Sequence, residues 1–267
     1  MRLLGEQLFS QGNREFESRP LRQVSEEFKD KIVLLTGGSS GIGKATAILF
    51  AQKGANIVFT YRKNKKGAKE VKKEIEKLGG KAVIIKANLN KDRNAKKVIN
   101  KTLRVFKRID ILINNAGRYI DGDEWNGDYD IWVESLRQNL ISAMSMSKYT
   151  TEIFQKQGSG IIINVSSRQS VNGAYDSLAY AAAKAGIVNI TKSFAKLFST
   201  FGGRVNAISP GATKAGYWLT APKEELEERL SRRSSHQLID SEEVAEKIVF
   251  LASEEAKEIN GENFVIE

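Results

Sequence analysis

The sequence KIVLLTGGSSGIG, residues 31–43, joins an apolar, β-branched run to a turn rich in glycine and serine. Residues 31–35 predict a buried strand, and residues 44–52 predict the helix that follows the turn. Glycine permits a tight turn and lets the backbone approach a ligand closely, and the start of a helix offers unpaired N–H groups to a pyrophosphate. We therefore predict a dinucleotide site around Gly37, Gly41 and Gly43.

Predicted strands and helices alternate on both sides of this turn. Beyond the first strand and helix, the predicted elements are strands at 56–60, 82–87, 109–113 and 160–167, an amphipathic helix at 68–78 and a further helix at 95–106. Their order predicts an α/β fold, a single-domain, doubly wound parallel sheet of Rossmann type flanked by helices. We assign residues 30–267 to this domain and the mixed polar residues 1–29 to an N-terminal extension.

Composition limits the classes of function. The 267 residues are 41% hydrophobic, which is ordinary for one globular domain. The chain has no cysteine and one histidine, His236, so disulfides and a Cys/His zinc site are excluded, and no metal is expected. His236 is expected to be structural. Because no apolar run is long enough for a signal peptide or a membrane span, we expect a cytoplasmic protein without a membrane partner.

The net charge of +10 is concentrated in residues 61–108, which hold 18 Lys and Arg and 4 Asp and Glu. The segment can be a pair of solvated helix faces, or it can attract an anionic cofactor or partner. Nucleic acid is disfavoured as a partner, because no aromatic residues or recognition-helix pattern accompany the lysines.

A phosphate-binding loop is a second interpretation of the glycine turn. Gly38, Gly43 and Lys44 match the pattern G-x-x-x-x-G-K, which a Ser or Thr normally follows to bind Mg²⁺. Ala45 occupies that position and has no hydroxyl group. Hydrolysis of a nucleoside triphosphate is therefore disfavoured.

The segment Leu178-Ala-Tyr180-Ala-Ala-Ala-Lys184 can place a phenol beside an ammonium group. Its alanines favour a helix, in which Tyr180 and Lys184 lie on one face, and a neighbouring cation favours the phenolate needed for general acid–base chemistry. Tyr61 and Lys65 have the same spacing. However, Ser167, at the end of a predicted strand, lies thirteen residues before Tyr180, whereas the position equivalent to Ser167 before Tyr61 is Ile48.

From about Lys31 onward, the chain resembles the short-chain dehydrogenase/reductase family, nearest to its 3-oxoacyl carrier-protein reductases and sugar dehydrogenases. The landmarks, in order, are Thr36–Gly43, Asn114–Gly117, Asn139, Ser167, Tyr180 with Lys184, and Arg204–Gly211. The resemblance implies a hydride-transferring enzyme with the catalytic residues Asn139, Ser167, Tyr180 and Lys184. Ser167 would bind the substrate carbonyl, Tyr180 would donate its proton, Lys184 would favour the phenolate and hold the nicotinamide ribose, and Asn139 would anchor a relay water.

The same resemblance implies a nicotinamide dinucleotide site. Its residues would be Gly37, Ser39, Gly41, Ile42, Gly43, Arg62, Asn88, Leu89, Asn115, Ala116, Gly117, Tyr180, Lys184, Pro210, Gly211 and Thr213. Arg62 stands after the second strand, where an acidic residue would hold the ribose of NAD, so NADP(H) is the expected cofactor and NAD the alternative. Asn88 replaces the usual adenine-binding aspartate, and Ala215 replaces a threonine, which leaves Thr213 to contact the carboxamide.

The expected substrate is a small carbonyl compound or alcohol, covered by a lid at Gly216–Gln237 with Tyr217, Trp218 and Leu219 in its lining. A reductase of carrier-bound 3-oxoacyl groups is the alternative. In such enzymes arginines are expected where this chain has Gly158 and Phe201. A catalytically silent nucleotide-binding scaffold is the third hypothesis. The family also implies a homodimer or homotetramer, paired through helices near 130–155 and 180–201.

Overall fold

A computed structural model of the chain describes residues 26–219, 221–231 and 237–267. Its centre is a seven-stranded sheet in the order β3-β2-β1-β4-β5-β6-β7, and every pairing is parallel. The strands are β1 Ile32–Leu35, β2 Asn56–Tyr61, β3 Ala82–Lys86, β4 Ile111–Asn114, β5 Ile161–Val165, β6 Arg204–Pro210 and β7 Asn263–Ile266. The predicted doubly wound parallel sheet is confirmed.

Helices connect the strands. They are α1 Gly41–Gln52, α2 Lys65–Lys77, α3 Asp92–Phe106, α4 Tyr129–Leu136, α5 Ser142–Gln157, α6 Gln169–Asn172, α7 Leu178–Phe198, α8 Lys223–Ser231 and α9 Ser241–Ala252. A π-helical turn, Arg137–Ile141, joins α4 to α5, and 3₁₀ turns occupy Gly216–Leu219 and Glu254–Ala256. Where the structure describes the chain, no helix is both long and apolar enough to cross a bilayer.

Both faces of the sheet are covered, as a parallel sheet requires. Side chains alternate along β1: Val33 and Leu35 belong to one apolar cluster, which includes Phe50 of α1, and Leu34 belongs to the other, which includes Phe154 of α5. All four residues of β1 are buried. The sheet is therefore a fixed platform, and its carboxyl edge can hold side chains in defined positions.

Several boundaries differ from the predictions: α1, α2 and α3 each begin three residues earlier than predicted. Helix α1 begins at Gly41 and not at Lys44, so the end of the glycine turn forms the first helical turn. Strands β6 and β7 were not predicted. Phe28, assigned to the extension, is 3% exposed and packs edge-on against Phe50 at a centroid distance of 5.0 Å. The assignment of an N-terminal extension otherwise falls on residues 1–25, outside the described residues, and stays a prediction.

Candidate active site

A cleft of about 720 Å³ opens at the carboxyl ends of the strands, where the strand order reverses between β1 and β4. Open α/β sheets bind ligands at such a switch point. Every residue predicted to contact the cofactor lines this cleft, as does Ser167, and Asn139 lies behind its wall. The fold thus brings together residues that span 177 positions of the chain, from Gly37 to Thr213, although their binding role stays a prediction.

At Gly37 and Gly43 the glycine turn does not accommodate a side chain. Gly37 has a φ of 77°, in the left-handed region that favours glycine. A Cβ atom on Gly43 would lie 2.2 Å from the carbonyl oxygen of Gly37, so any other residue would push the turn apart. The turn therefore presents bare backbone to the cleft, as the close approach of a pyrophosphate requires.

Asn115 braces this turn, a role that the sequence did not indicate. Its Nδ2 donates to the carbonyl oxygens of Thr36, at 3.0 Å, and Gly37, at 3.1 Å. The Thr36 hydroxyl oxygen in return accepts the N–H groups of Asn115 and Ala116 at 3.0 and 2.9 Å. These bonds tie the end of β4 to the end of β1, so the two walls of the cleft are held together.

Tyr180 and Lys184 lie one turn apart on α7, as predicted, and Lys184 Nζ is 5.5 Å from the centre of the Tyr180 ring. The ammonium group also donates to the carbonyl oxygen of Val165, at the end of β5, at 2.8 Å. Lys184 is 4% exposed, and this burial lowers its pKa from 10.5 to about 8. Lys184 can therefore lose and regain a proton near physiological pH.

Tyr61 and Lys65, the other pair with this spacing, do not share a helix. Tyr61 is the last residue of β2, and Lys65 is the first residue of α2. Sequence spacing alone therefore does not make them neighbours on one face, and the comparison supports the choice of Tyr180 as the reactive phenol.

Ser167 follows β5 by two residues, and its hydroxyl oxygen accepts the N–H group of Gln169 at 3.3 Å. The preceding residue, Ser166, donates its hydroxyl to the carbonyl oxygen of Lys184 at 2.8 Å. This bond fixes the end of β5 against α7. Ser167, which follows β5, and Tyr180, on α7, therefore line the same cleft from two elements that this hydrogen bond joins.

Asn139 lies within the π-helical turn and is 1% exposed. Its Oδ1 accepts the N–H group of Arg118 at 2.8 Å, and its Nδ2 donates to the carbonyl oxygens of Arg118 and Ser135. A Cβ atom on Gly117 would lie 2.5 Å from Asn139 Oδ1 and 3.4 Å from Lys184 Nζ. Gly117 thus leaves open the space between the two predicted catalytic residues, and π-helical turns are frequent at functional sites.

Arg62, the residue predicted to contact the adenosine end of the cofactor, lines the cleft, and its Nη1 donates to Oε1 of Gln138 at 2.9 Å. Gln138 belongs to the π-helical turn, so the guanidinium reaches across the cleft mouth. Asn88 accepts the N–H group of Asn90 at 3.3 Å, and Thr213 donates its hydroxyl to the carbonyl oxygen of Gly211 at 3.1 Å. Both remain in the cleft lining.

The predicted lid is described in part. Residues Gly216–Leu219 form a 3₁₀ turn, and Lys223–Ser231 form α8. Trp218 lines the cleft, whereas Leu219 is 65% exposed and does not, so the predicted role of Leu219 is not supported by its position. His236 and the side chain of Tyr217 lie outside the described residues.

Comparisons with known proteins agree with this geometry. A family model described as enoyl-(acyl carrier protein) reductase matches residues 37–267. A 3-oxoacyl-(acyl-carrier-protein) reductase of Thermotoga maritima is 35% identical over 232 residues, covering 87% of this chain and 94% of that protein. A cyclohexanol dehydrogenase of an Acinetobacter species is 33% identical over 248 residues, covering 91% of this chain and 96% of that protein.

Among solved structures, a short-chain dehydrogenase from Burkholderia cenocepacia in complex with NADP superposes with a TM-score of 0.84. It is 28% identical, and the match covers 90% of this chain and 98% of that one. The chain belongs to the short-chain dehydrogenase/reductase family of oxidoreductases. The family suggested by the sequence motifs is therefore confirmed.

Proposed function

We propose that the protein is an NADP(H)-dependent oxidoreductase that interconverts a ketone and a secondary alcohol, with Tyr180 as the proton donor and acceptor. The observation that carries this proposal is the placement of Tyr180, a buried Lys184 and Ser167 around one cleft with a bare glycine turn. When bound, the nicotinamide supplies or accepts the hydride.

The residues of the chain supply the acid–base part of the reaction. Ser167 donates a hydrogen bond to the carbonyl oxygen of the substrate, and Tyr180 delivers the proton to that oxygen during reduction. Lys184, a cation beside the ring, favours the phenolate that remains. Because the pKa of Lys184 is about 8, the same ammonium group can return a proton to Tyr180 and be reprotonated through the space beside Asn139.

Arg62 supports the choice of NADP(H). Its present partner is the neutral amide of Gln138, and a phosphate dianion is a stronger, bidentate partner for a guanidinium group. Lys63 and Ser39 line the same end of the cleft and can add contacts. The solved relative from Burkholderia cenocepacia is a complex with NADP. The competing interpretation is that Arg62 covers the adenine ring and tolerates either cofactor.

A small, free carbonyl compound is the proposed substrate. Trp218 and Tyr119 add aromatic side chains to the cleft lining, which suits a ring or a short acyl chain. The similarity to a cyclohexanol dehydrogenase agrees with this choice. The similarity to a 3-oxoacyl-(acyl-carrier-protein) reductase favours a carrier-bound substrate as the second candidate. Gly158 and Phe201 provide no positive charge where such reductases are expected to dock the carrier.

The test is the loss of NADPH absorbance with a panel of cyclic ketones, free oxoacyl thioesters and an oxoacyl carrier protein. We expect turnover of at least one free ketone or thioester. Turnover of the carrier-bound substrate far above that of its free analogue would favour the second candidate. Cofactor binding without turnover of any substrate, in either direction, would favour the silent scaffold.

A further inference from the structure

The start of α7, the helix that carries Tyr180 and Lys184, is held by a residue far away in the sequence. The first N–H groups of a helix have no partner within the helix and are usually bound by the side chain of the preceding residue. That residue is Ser177, and its side chain makes no such bond. Asp123, which lies in the connection between β4 and α4, binds these N–H groups instead.

Asp123 binds the first three N–H groups of α7. Its carbonyl oxygen accepts from Leu178 at 2.7 Å, its Oδ1 accepts from Ala179 at 3.0 Å, and its Oδ2 accepts from Tyr180 at 2.9 Å. Asp123 is 0% exposed. The backbone N–H group of Tyr180, next to the Cα atom that carries the phenol, is therefore bonded directly to a buried carboxylate.

The same carboxylate is linked to the other predicted catalytic element. Ser135 of α4 donates its hydroxyl to Oδ2 of Asp123 at 2.7 Å. The carbonyl oxygen of Ser135 accepts Nδ2 of Asn139 at 3.1 Å. A chain of hydrogen bonds thus runs from the Tyr180 backbone through Asp123 and Ser135 to Asn139, and it connects the two sides of the site.

Opposed effects act on the charge of Asp123. Burial raises the pKa of Asp123, and the bonds from Ser135, Ala179 and Tyr180 oppose this rise without overcoming it. Glu124 adds to the rise, and within the described residues no lysine or arginine forms an ion pair with Asp123. Burial of the carboxylate thus has a larger effect on its pKa than the bonds it accepts, and groups perturbed in this way concentrate at functional sites.

We infer that Asp123 is a positioning residue for the reaction: it fixes the height and orientation of the first turn of α7, so that the Tyr180 phenol meets the oxygen of the substrate. The inference rests on the proposed role of Tyr180. An ionised carboxylate suits this place because it accepts bonds at both oxygens, whereas an asparagine would turn a donor toward the N–H group of Ala179 or Tyr180. A displacement of about 1 Å at a reacting group can lower a rate about 100-fold.

The test is Asp123→Asn, with Asp128→Asn as the matched control. Asp128 accepts the N–H group of Asp130 at 2.7 Å at the start of α4, but it is exposed and does not line the cleft. We expect Asp123→Asn to lower kcat at least tenfold, to change the NADPH Kd less than about threefold, and to speed amide exchange at residues 178–180. Thermal stability should fall, because a buried N–H group loses its acceptor, so kcat is compared per NADPH-binding site; the control should match the parent in every measurement.

Unchanged kcat per NADPH site in Asp123→Asn would overturn the inference, and so would a loss of activity that only follows a loss of folded protein. If Asp123→Asn does not fold, Ser135→Ala provides the test of the inference, because it removes one hydrogen bond to the Asp123 carboxylate. We expect Ser135→Ala to lower kcat with an unchanged NADPH Kd, and no change in kcat would refute the inference. A parent enzyme that turns over no substrate would instead refute the proposed function, and the inference with it.

Discussion

Replacing Lys184 by methionine should make the protein more stable while it removes activity. Lys184 is 4% exposed, and its pKa in the fold is about 8 against 10.5 for a solvated lysine. Keeping this ammonium group charged at pH 7 therefore costs about 3 kcal/mol of folding free energy. Methionine keeps most of the volume and loses the bond to the Val165 carbonyl, which is worth about 1 kcal/mol. The expected net gain is about 2 kcal/mol at pH 7.

The lowered pKa of Lys184 determines how the stability difference between the variant and the parent changes with pH. Between about pH 8 and 10.5 the unfolded chain holds a proton on Lys184 that the folded chain has released, so the stability of the parent rises across this window. The variant lacks this contribution. Its advantage should therefore be largest below about pH 8 and should disappear by about pH 10.5.

Urea unfolding, followed by circular dichroism at several pH values and one protein concentration, measures both effects. Lys192→Met is the matched control, because Lys192 is exposed on the same helix. We expect no pH-dependent gain from it. A Lys184→Met variant that is less stable than the parent at pH 7, by an amount independent of pH, would show that burial does not destabilise the ammonium group.

Three further outcomes are expected. Arg62→Asp should weaken NADPH binding about 30- to 100-fold, because it replaces an attraction with a like-charge clash, and should spare or improve NADH binding; a parent that prefers NADH in kcat/KM would disprove the argument. Gly43→Ala should reduce NADPH affinity at least tenfold by pushing the turn off Gly37, whose carbonyl oxygen would lie 2.2 Å from the new Cβ; fluorescence titration at unchanged circular dichroism tests it. Sedimentation should give a dimer or tetramer, and a mass of 29.7 kDa would contradict this.

The sequence was sufficient for the parallel sheet and the cleft because both follow from local patterns. Apolar β-branched runs predicted the first five strands, and the polar groups that follow them meet at one edge once the strands are parallel. Strand β7, Asn263–Ile266, has only three consecutive apolar residues, Phe264, Val265 and Ile266, and this run is too short to predict a strand. The start of α1 was missed because Gly41 and Gly43 favour a turn as strongly as they permit a helix.

The contacts that hold the site in place were not predictable, because they join residues far apart in the chain. Asp123 bonds to the N–H group of Tyr180 across 57 positions, and Asn115 bonds to Thr36 across 79. Neither residue has a local pattern that indicates its partner. The burial of Lys184 was equally hidden, because the alanine-rich helix around it would suit an exposed or a buried face.

The proton transfer from Tyr180 is the central claim, and Tyr180→Phe tests it most directly. The variant keeps the ring beside Lys184 and removes only the hydroxyl group. Hydride transfer should be measured in single turnover with the best ketone of the panel, together with the NADPH Kd. We expect the rate to fall about 10²- to 10⁴-fold while the Kd stays within about threefold. A rate above about one hundredth of the parent's, at the same Kd, would show that another group donates the proton.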